Sequence, residues 1–213
     1  MFVRQLNTAN SDFIKEFEEL VAVDASVDVE ITRRAEAIVQ DVRARGDEAV
    51  LEYTNRFDRM SVNSMDELLI TAEEMRVALD SLPVDQREAL IAAADRIREF
   101  HENERLESFS VTDKLGNKLG LRVTPIDSVG LYVPGGKAAY PSSVLMNAMP
   151  AKVAGVKHIE MVVPTPGGEK NPLVLAAASL SGVTRAWAIG GAQAVAALAY
   201  GTKTIPSVDK IVG

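Results

Sequence analysis

The sequence predicts an α/β protein in which a parallel sheet follows a helix-rich segment. Short apolar runs alternate with helical periods after residue 128, whereas helical spacing of apolar residues dominates before it. Charge changes at the same place. From residue 121 onward eight Lys/Arg stand against four Asp/Glu, a net charge of +4, so the overall charge of −7 leaves −11 on residues 1–120. We expect a helical arm over residues 1–27, part of a second, incomplete α/β domain over 28–126, and the parallel-sheet domain over 127–213.

Apolar stripes and a few punctuating residues define the helices of the first segment. Gly46 has the position of a left-handed C-cap, Asp47 can cap the next helix, Thr71 with Glu74 matches a capping box, and Pro83 ends a helix. The predicted helices carry Phe13, Phe17, Leu20 and Val21; Ile31, Ala35, Ile38, Val39 and Val42; Val50, Tyr53 and Phe57; Met75, Leu79 and Leu82; and Leu90, Ala94 and Ile97. Leu68–Thr71 resembles a short strand, and alternation over 109–123 around Gly116-Asn117 predicts a hairpin.

The second segment follows a β-α-β-α-β-α-β pattern. Its predicted strands are nearly continuous in apolar residues, as expected of parallel strands that are buried on both faces. In order, the strands and helices are Val129–Val133, Val144–Ala154, Ile159–Val163, Pro172–Leu180, Arg185–Ile189, Ala192–Tyr200 and Lys210–Val212. Asn171 before Pro172 is an N-cap signal, and Gly155 and Gly182 follow predicted helices. The pattern predicts a three-layer, Rossmann-like sheet domain.

Composition excludes several classes of function. The chain has no cysteine, so disulfides, thiol nucleophiles and thiolate metal sites are ruled out. Its two histidines, His101 and His158, are too far apart in sequence to form a local metal-binding pair. The negative net charge argues against nucleic-acid partners, and no apolar run is long enough to span a membrane. We therefore expect a cytoplasmic protein.

Paired glycines follow two of the predicted strands. Pro134-Gly135-Gly136-Lys137 comes after the first strand, and Gly190-Gly191-Ala192-Gln193 comes after the third. Ligands bind parallel sheets beyond the carboxyl ends of the strands, and glycine lets the main chain approach them closely. Lys137, Ser142 and Ser143 could add contacts to an anion. Neither loop is a GxGxxG fingerprint or a Walker loop, so nucleotide binding and plain tight turns both remain open.

Two single residues next to these loops allow two interpretations each. Tyr132 lies in an apolar strand and could be a core residue with a satisfied hydroxyl, or it could face a cofactor. Gln193 lies in the first turn of a helix and could be a solvated or capping amide, or it could bind a ligand. Trp187 is expected in the core, and both histidines are expected at the surface.

Longer stretches of sequence resemble the histidinol dehydrogenase family. The resemblance begins with Val42-Arg43-Ala44-Arg45-Gly46-Asp47-Glu48-Ala49 and extends in order over nearly the whole chain. The other matching stretches are Val129-Gly130-Leu131-Tyr132-Val133-Pro134-Gly135-Gly136, Tyr140-Pro141-Ser142-Ser143-Val144-Leu145-Met146-Asn147-Ala148, Gly190-Gly191-Ala192-Gln193-Ala194, Ala196-Ala197-Leu198-Ala199-Tyr200-Gly201-Thr202, and Val208-Asp209-Lys210-Ile211-Val212-Gly213.

The resemblance implies a zinc-dependent enzyme that oxidises L-histidinol to L-histidine through histidinal, with two NAD used in succession. It also implies an architecture similar to that of aldehyde dehydrogenases and a homodimer with shared active sites. The family's NAD-contacting tyrosine and glutamine fall on Tyr132 and Gln193, beside Gly135, Gly136, Gly190 and Gly191.

The family's zinc ligands and its glutamate–histidine acid/base pair match no stretch of residues 1–213. We therefore expect neither catalytic residues nor metal ligands in this chain, which resembles the amino-terminal half of the enzyme and should be inactive alone. Two alternatives remain open. One is a paralogue that oxidises another small alcohol, and the other is a non-catalytic nucleotide-binding or assembly module.

Overall fold

The computed structural model describes residues 5–22, 25–135 and 140–213, and the chain divides into two compact units, Met1–Ala37 and Ile38–Gly213. The predicted division at residues 27 and 126 stays a prediction. The helices are α1 Phe13–Val21, α2 Ala25–Arg45, α3 Asp47–Asp58, α4 Ala72–Asp80, α5 Val84–Glu102, α6 Pro141–Ala154, α7 Pro172–Ser181 and α8 Gly191–Tyr200. The strands are β1 Leu69–Ile70, β2 Phe109–Thr112, β3 Lys118–Leu121, β4 Ser128–Tyr132, β5 His158–Val162, β6 Arg185–Trp187 and β7 Lys210–Val212.

A mostly parallel, five-stranded sheet forms the centre of the second unit and confirms the predicted fold class. Its strand order is β1-β6-β5-β4-β7, and β4, β5, β6 and β7 are mutually parallel. The chain moves outward from β4 through α6 to β5 and through α7 to β6, and then returns through α8 to β7 on the other side of β4. Right-handed crossovers therefore place α6 and α7 on one face of the sheet and α8 on the opposite face.

The helices of the first segment complete the layers on both faces. α4 packs on α7, α5 packs on α6 and α7, and α3 packs on α8. The parallel strands are buried because both of their faces are covered, which is why Leu131, Ile159 and Met161 have essentially no solvent exposure.

One edge of the sheet differs from the expectation of purely parallel strands. β1, which the sequence predicted as a short strand, comes from the helix-rich segment and pairs antiparallel with β6 through Leu69↔Trp187 and Ile70↔Ala186. β1 is not joined to β6 by a single crossover helix. The connection therefore does not force the two strands to be parallel.

Most of the local helix signals are confirmed. Asn171 Oδ1 accepts hydrogen bonds from the amides of Leu173 and Val174, and Thr71 with Glu74 forms the capping box. The expectation that Asp47 caps α3 is wrong. Asp47 is the first residue of the helix, and its carboxylate instead accepts a hydrogen bond from Thr204 Oγ1 at 2.6 Å, which joins α3 to the segment after α8.

A network of charged and hydroxyl groups joins the end of α2 to α3. Asp41 accepts from Arg45 Nε at 2.7 Å and from Tyr53 OH at 2.9 Å. The hydrogen bond from Arg45 is the main cause that lowers the pKa of Asp41 to about 2, and the bond to Asp41 raises the pKa of Tyr53. These bonds connect the end of α2 to the middle of α3.

The predicted hairpin is formed by β2 and β3, with Gly116 at φ +85° in its turn. Phe109 pairs with Leu121 and Val111 pairs with Leu119, which places four apolar side chains on one face. All four are about half exposed or more. No helix among the described residues is long and apolar enough to cross a membrane.

An ion pair between a buried carboxylate and a half-exposed arginine joins β5 to β6. Glu160 in β5 is 1% exposed, and it accepts hydrogen bonds from Arg185 Nε at 2.9 Å and from Trp187 Nε1 at 3.1 Å. Trp187 is in the core, as the sequence predicted. The carboxylate is tolerated inside the protein because both of its oxygens are bonded.

We predict that Glu160→Ala lowers the free energy of unfolding by about 2–4 kcal/mol, because the indole N–H loses its acceptor and a cavity opens. Denaturant unfolding followed by circular dichroism measures the change. Glu73→Ala, which breaks an exposed ion pair with Arg76, should leave the unfolding midpoint nearly unchanged. Equal effects of the two substitutions would show that the buried pair contributes no more than a surface one.

Candidate dinucleotide site

The candidate site lies where the strand order of the sheet reverses direction. In the order β6-β5-β4-β7, β4 lies between β5 and β7. The chain passes from β4 through α6 to β5 on one side, and it later returns through α8 to β7 on the other side. Ligands bind open parallel sheets beyond the carboxyl ends of the strands at such a reversal. Here the strands end at Tyr132, Val162, Trp187 and Val212, and the two glycine loops continue from the first and third of these ends.

Pro164, just after β5, is the centre of the close packing at this edge. A Cβ atom on Gly135 would overlap the carbonyl oxygen of Pro164, and a Cβ atom on Gly190 would overlap the Pro164 ring and lie 2.9 Å from its Cγ. The main chain at Gly135 and at Gly190 lies so close to Pro164 that neither position has room for a side chain. The loops after β4 and β6 meet on either side of it.

Tyr132 and the second glycine loop are joined directly. The Tyr132 hydroxyl accepts a hydrogen bond from the Gly191 amide at 3.1 Å. Tyr132 is partly exposed and packs against the core, so it combines a core position with a side chain at the ligand edge. Gly191 has φ +63°, which is a conformation that glycine adopts without strain.

Gln193 is neither a helix cap nor a solvated amide. It is 1% exposed, the N-cap of α8 is Gly190, and no side chain caps that helix. The Gln193 side chain folds back over Gly191, where a Cβ atom would lie 2.7 Å from Oε1. This oxygen is buried and has no hydrogen-bond partner among the described residues. A buried amide oxygen without a partner is costly, which favours a binding role over a packing role.

Two residues of α3 also have a buried side-chain oxygen without a hydrogen-bond partner among the described residues. The sequence analysis predicted neither of them as a site residue. Thr54 Oγ1 and Asp58 Oδ2 are buried and unpartnered, and together with Gln193 Oε1 they are the unsatisfied buried side-chain atoms of the described residues. Burial raises the pKa of Asp58. Their spacing in the sequence indicates burial, because Thr54 and Asp58 follow Val50 at intervals of four residues and so lie on the apolar stripe of the helix.

Some predicted contacts lie elsewhere or cannot be placed. Gly136 and Lys137 lie outside the described residues, and Ser142 is exposed in the first turn of α6. Both histidines lie at the opposite edge of the sheet. His158 begins β5, and His101, paired with Glu104 at 2.6 Å, lines a groove beside Val153 at the end of α6. Neither imidazole is close to the glycine loops.

Within residues 5–22, 25–135 and 140–213, no three His, Asp or Glu side chains are placed so that they could hold a metal ion. The side chains described therefore do not fit a zinc ion. At the carboxyl edge, by contrast, the Tyr132 hydroxyl, the Gly191 amide and the buried Gln193 side chain lie close together.

Comparison with known proteins identifies the family. The family model for histidinol dehydrogenase matches residues 23–213. The chain is 59% identical over 211 residues to histidinol dehydrogenase of Dechloromonas aromatica, covering 99% of this chain and 49% of the relative, and 57% identical over 211 residues to that of Aromatoleum aromaticum, covering 99% and 48%. The crystal structure of histidinol dehydrogenase from Elizabethkingia anophelis is similar, with a TM-score of 0.79 and 30% identity over 86% of this chain and 42% of that one.

The chain spans about half the length of these relatives. The matched family model, the high identity over almost all of the chain and the shared fold agree with one another, and this chain belongs to the histidinol dehydrogenase family.

Proposed function

We propose that this chain is the part of a histidinol dehydrogenase that binds NAD at the carboxyl edge of its parallel sheet. The observation that carries the proposal is the convergence of the Tyr132 hydroxyl, the Gly191 amide and the buried Gln193 amide at the reversal of strand order. A tight turn alone explains the glycines, but it does not explain a buried glutamine whose oxygen has no partner.

The residues of the edge have separate roles in this proposal. Gly135 and Gly190 let the loops after β4 and β6 pack against Pro164, which brings both loops to the same end of the sheet. Tyr132 holds the start of α8 through the Gly191 amide, and its ring offers an apolar wall. Gln193 supplies an amide in a site that excludes water. NAD, when bound, accepts the hydride of the alcohol.

Oxidation of an alcohol also requires a base for the hydroxyl proton, and this chain places no imidazole near the site. We propose that the zinc ligands and the acid/base groups belong to the half of the family's length that this chain does not span.

We predict that NAD binds this chain measurably and that Gln193→Ala or Tyr132→Phe weakens binding about five- to tenfold, because the first variant loses a buried amide and the second loses the hydroxyl that accepts from the Gly191 amide. Isothermal titration calorimetry gives the dissociation constants. Gln86→Ala, an exposed glutamine of α5, is the matched control and should bind like the wild type. A wild-type chain that does not bind NAD contradicts the proposed function.

We predict that the chain does not reduce NAD when histidinol and Zn²⁺ are supplied. Absorbance of NADH is the measurement, and the full-length enzyme of Dechloromonas aromatica is the positive control. Zinc-stimulated NADH formation by this chain would show that its own residues provide the base and the metal site.

We also propose that the chain self-associates, in keeping with the dimer that the resemblance implies. The apolar face of the hairpin, formed by Phe109, Val111, Leu119 and Leu121, is exposed, and a two-stranded hairpin is only marginally stable without a partner.

Leu119→Ser should therefore shift sedimentation velocity profiles toward the monomer at a given concentration. Ser110→Ala, on the polar face of the same hairpin, should leave the profiles unchanged. A wild-type chain that stays monomeric at high concentration would contradict self-association.

A further inference from the structure

The hairpin of β2 and β3 forms an arm, residues 108–123, with an open apolar face. Every residue of the two strands is exposed, and each strand packs mainly against the other. A two-stranded hairpin is only marginally stable in water unless a further strand or helix packs on its apolar face. The arm is therefore available to a partner.

The tip of the arm presents one leucine on a well-bonded turn. Leu115 is 87% exposed, more than any other large hydrophobic residue described. Its amide donates to Asp113 Oδ1 at 2.8 Å, and the amide of Asn117 donates to the same oxygen at 2.9 Å. Asn117 Nδ2 donates to Asp113 Oδ2 at 2.8 Å. A turn that is already formed loses little conformational freedom on binding, so this leucine is well suited to be a contact residue.

A groove lies at the root of the arm. The segments that lead into and out of the arm line it through Leu106 and Val123, and the end of α6 lines it through Pro150, Val153 and Ala154. Its volume is about 380 Å³, at the lower end of the range for ligand pockets. The groove therefore has space for an apolar group from outside.

Val123 connects this groove with the apolar face of the arm. It follows Leu119 and Leu121 at the two-residue period of a strand. The Ser108 hydroxyl accepts a hydrogen bond from the Val123 amide at 2.9 Å and donates one to the Val123 carbonyl oxygen at 3.3 Å. These two bonds join both segments of the root beside the groove.

Two arms can pack their apolar faces together in two ways. A two-fold axis makes each contact occur twice, once from each copy. If the arms are parallel, tip meets tip and root meets root. If they are antiparallel, each tip meets the root of the other copy, and Leu115 then faces a groove rather than another leucine.

The charges at the two ends of the arm favour the antiparallel arrangement. The tip, residues 113–118, carries two Lys and one Asp, a net charge of +1. The segment leading into the arm, residues 102–107, carries three Glu and one Arg, a net charge of −2, and residues 122–127 are neutral with one Arg and one Asp. Opposite charges therefore meet when the arms are antiparallel, and like charges meet when they are parallel.

We propose that two copies of this chain pack their arms antiparallel, so that Leu115 of each copy occupies the groove at the root of the other copy's arm. Lys114, next to this leucine, then lies near Glu104 on the rim of the groove. The inference rests on the self-association proposed above and names the two surfaces that form it. It does not depend on the binding of NAD.

Disulfide cross-linking tests the contact directly, because the sequence contains no cysteine. Leu115→Cys and Ala154→Cys change exposed positions, at the tip of the arm and at the end of α6. When the two variants are mixed and oxidised, we expect their mutual cross-link to form about tenfold faster than the link between two Leu115→Cys chains. Mass spectrometry of the digested products identifies the joined peptides. Val77→Cys, an exposed position of α4, is the matched control and should not cross-link preferentially to Leu115→Cys.

Sedimentation equilibrium measures the strength of the same contact. Leu115→Ser should raise the dimer dissociation constant about tenfold or more, because each copy no longer buries a leucine. Lys114→Glu should also weaken the dimer, more at low than at high salt, and Glu104→Lys in the same chain should restore it. Val77→Ser, which removes an exposed apolar side chain far from the arm in sequence, should leave the dissociation constant unchanged.

The outcomes separate this contact from self-association in general. If the wild type self-associates but Leu115→Cys chains link mainly to each other, the arms are parallel and the inference is overturned. Self-association without any link between Leu115→Cys and Ala154→Cys shows that something other than the tip fills the groove. That result also overturns the inference, and it leaves the proposed self-association intact. A chain that stays monomeric at high concentration contradicts both proposals.

Discussion

Close approach of three main-chain segments around Pro164 is the constraint on which the candidate site depends. The loops after β4 and β6 contact this residue from two sides, and neither Gly135 nor Gly190 has room for a Cβ atom. Parallel strands bring their carboxyl ends to one edge, but they do not by themselves bring the following loops into contact. Glycine at both positions permits that contact, and the Tyr132 hydroxyl then bonds the first amide of α8. The loops consequently form one surface.

Two buried carboxyl groups illustrate how differently this fold uses charge. Glu160 lies in the middle of β5 and is bonded by Arg185 and Trp187, so its burial cost is offset by partners within the sheet. Asp58 Oδ2 is buried without a hydrogen-bond partner among the described residues, and burial raises the pKa of this carboxyl. The paired group lies in the structural core, whereas the unpaired group lies at the end of α3 beside the turn after β5. An unsatisfied buried carboxyl near a ligand edge is a typical feature of a functional site.

The two edges of the sheet also differ in the chemistry they offer. The carboxyl edge carries glycine loops, a tyrosine and a buried amide, and these groups are the basis of the dinucleotide site proposed there. The amino edge carries both histidines, with His101 paired to Glu104. Neither imidazole therefore lies near the proposed binding site. The chain spans about half the length of its relatives.

The sequence determined the order and type of most elements, because the apolar periods, helix caps and glycine positions are local properties. Asn171, Gly155 and Gly182 mark helix ends without any knowledge of the fold, and the hairpin turn at Gly116 is equally local. It also made Tyr132 and Gln193 candidates for cofactor contact, through the adjacent glycine pairs and the family resemblance, and that role stays a prediction. It could not determine that Asp47 would bond Thr204 rather than cap its own helix, because 157 residues separate the two.

Tertiary structure decided the parts of the site that depend on the packing of distant segments. Three such relations join segments that are far apart in the chain. They are the antiparallel pairing of β1 with β6, the packing of two glycine loops against Pro164, and the bond from Thr204 to Asp47 at the start of α3. Thr54 and Asp58 look like ordinary polar residues of an amphipathic helix in the sequence. Only the fold shows that they are buried and unpartnered, because burial is set by which helix covers them.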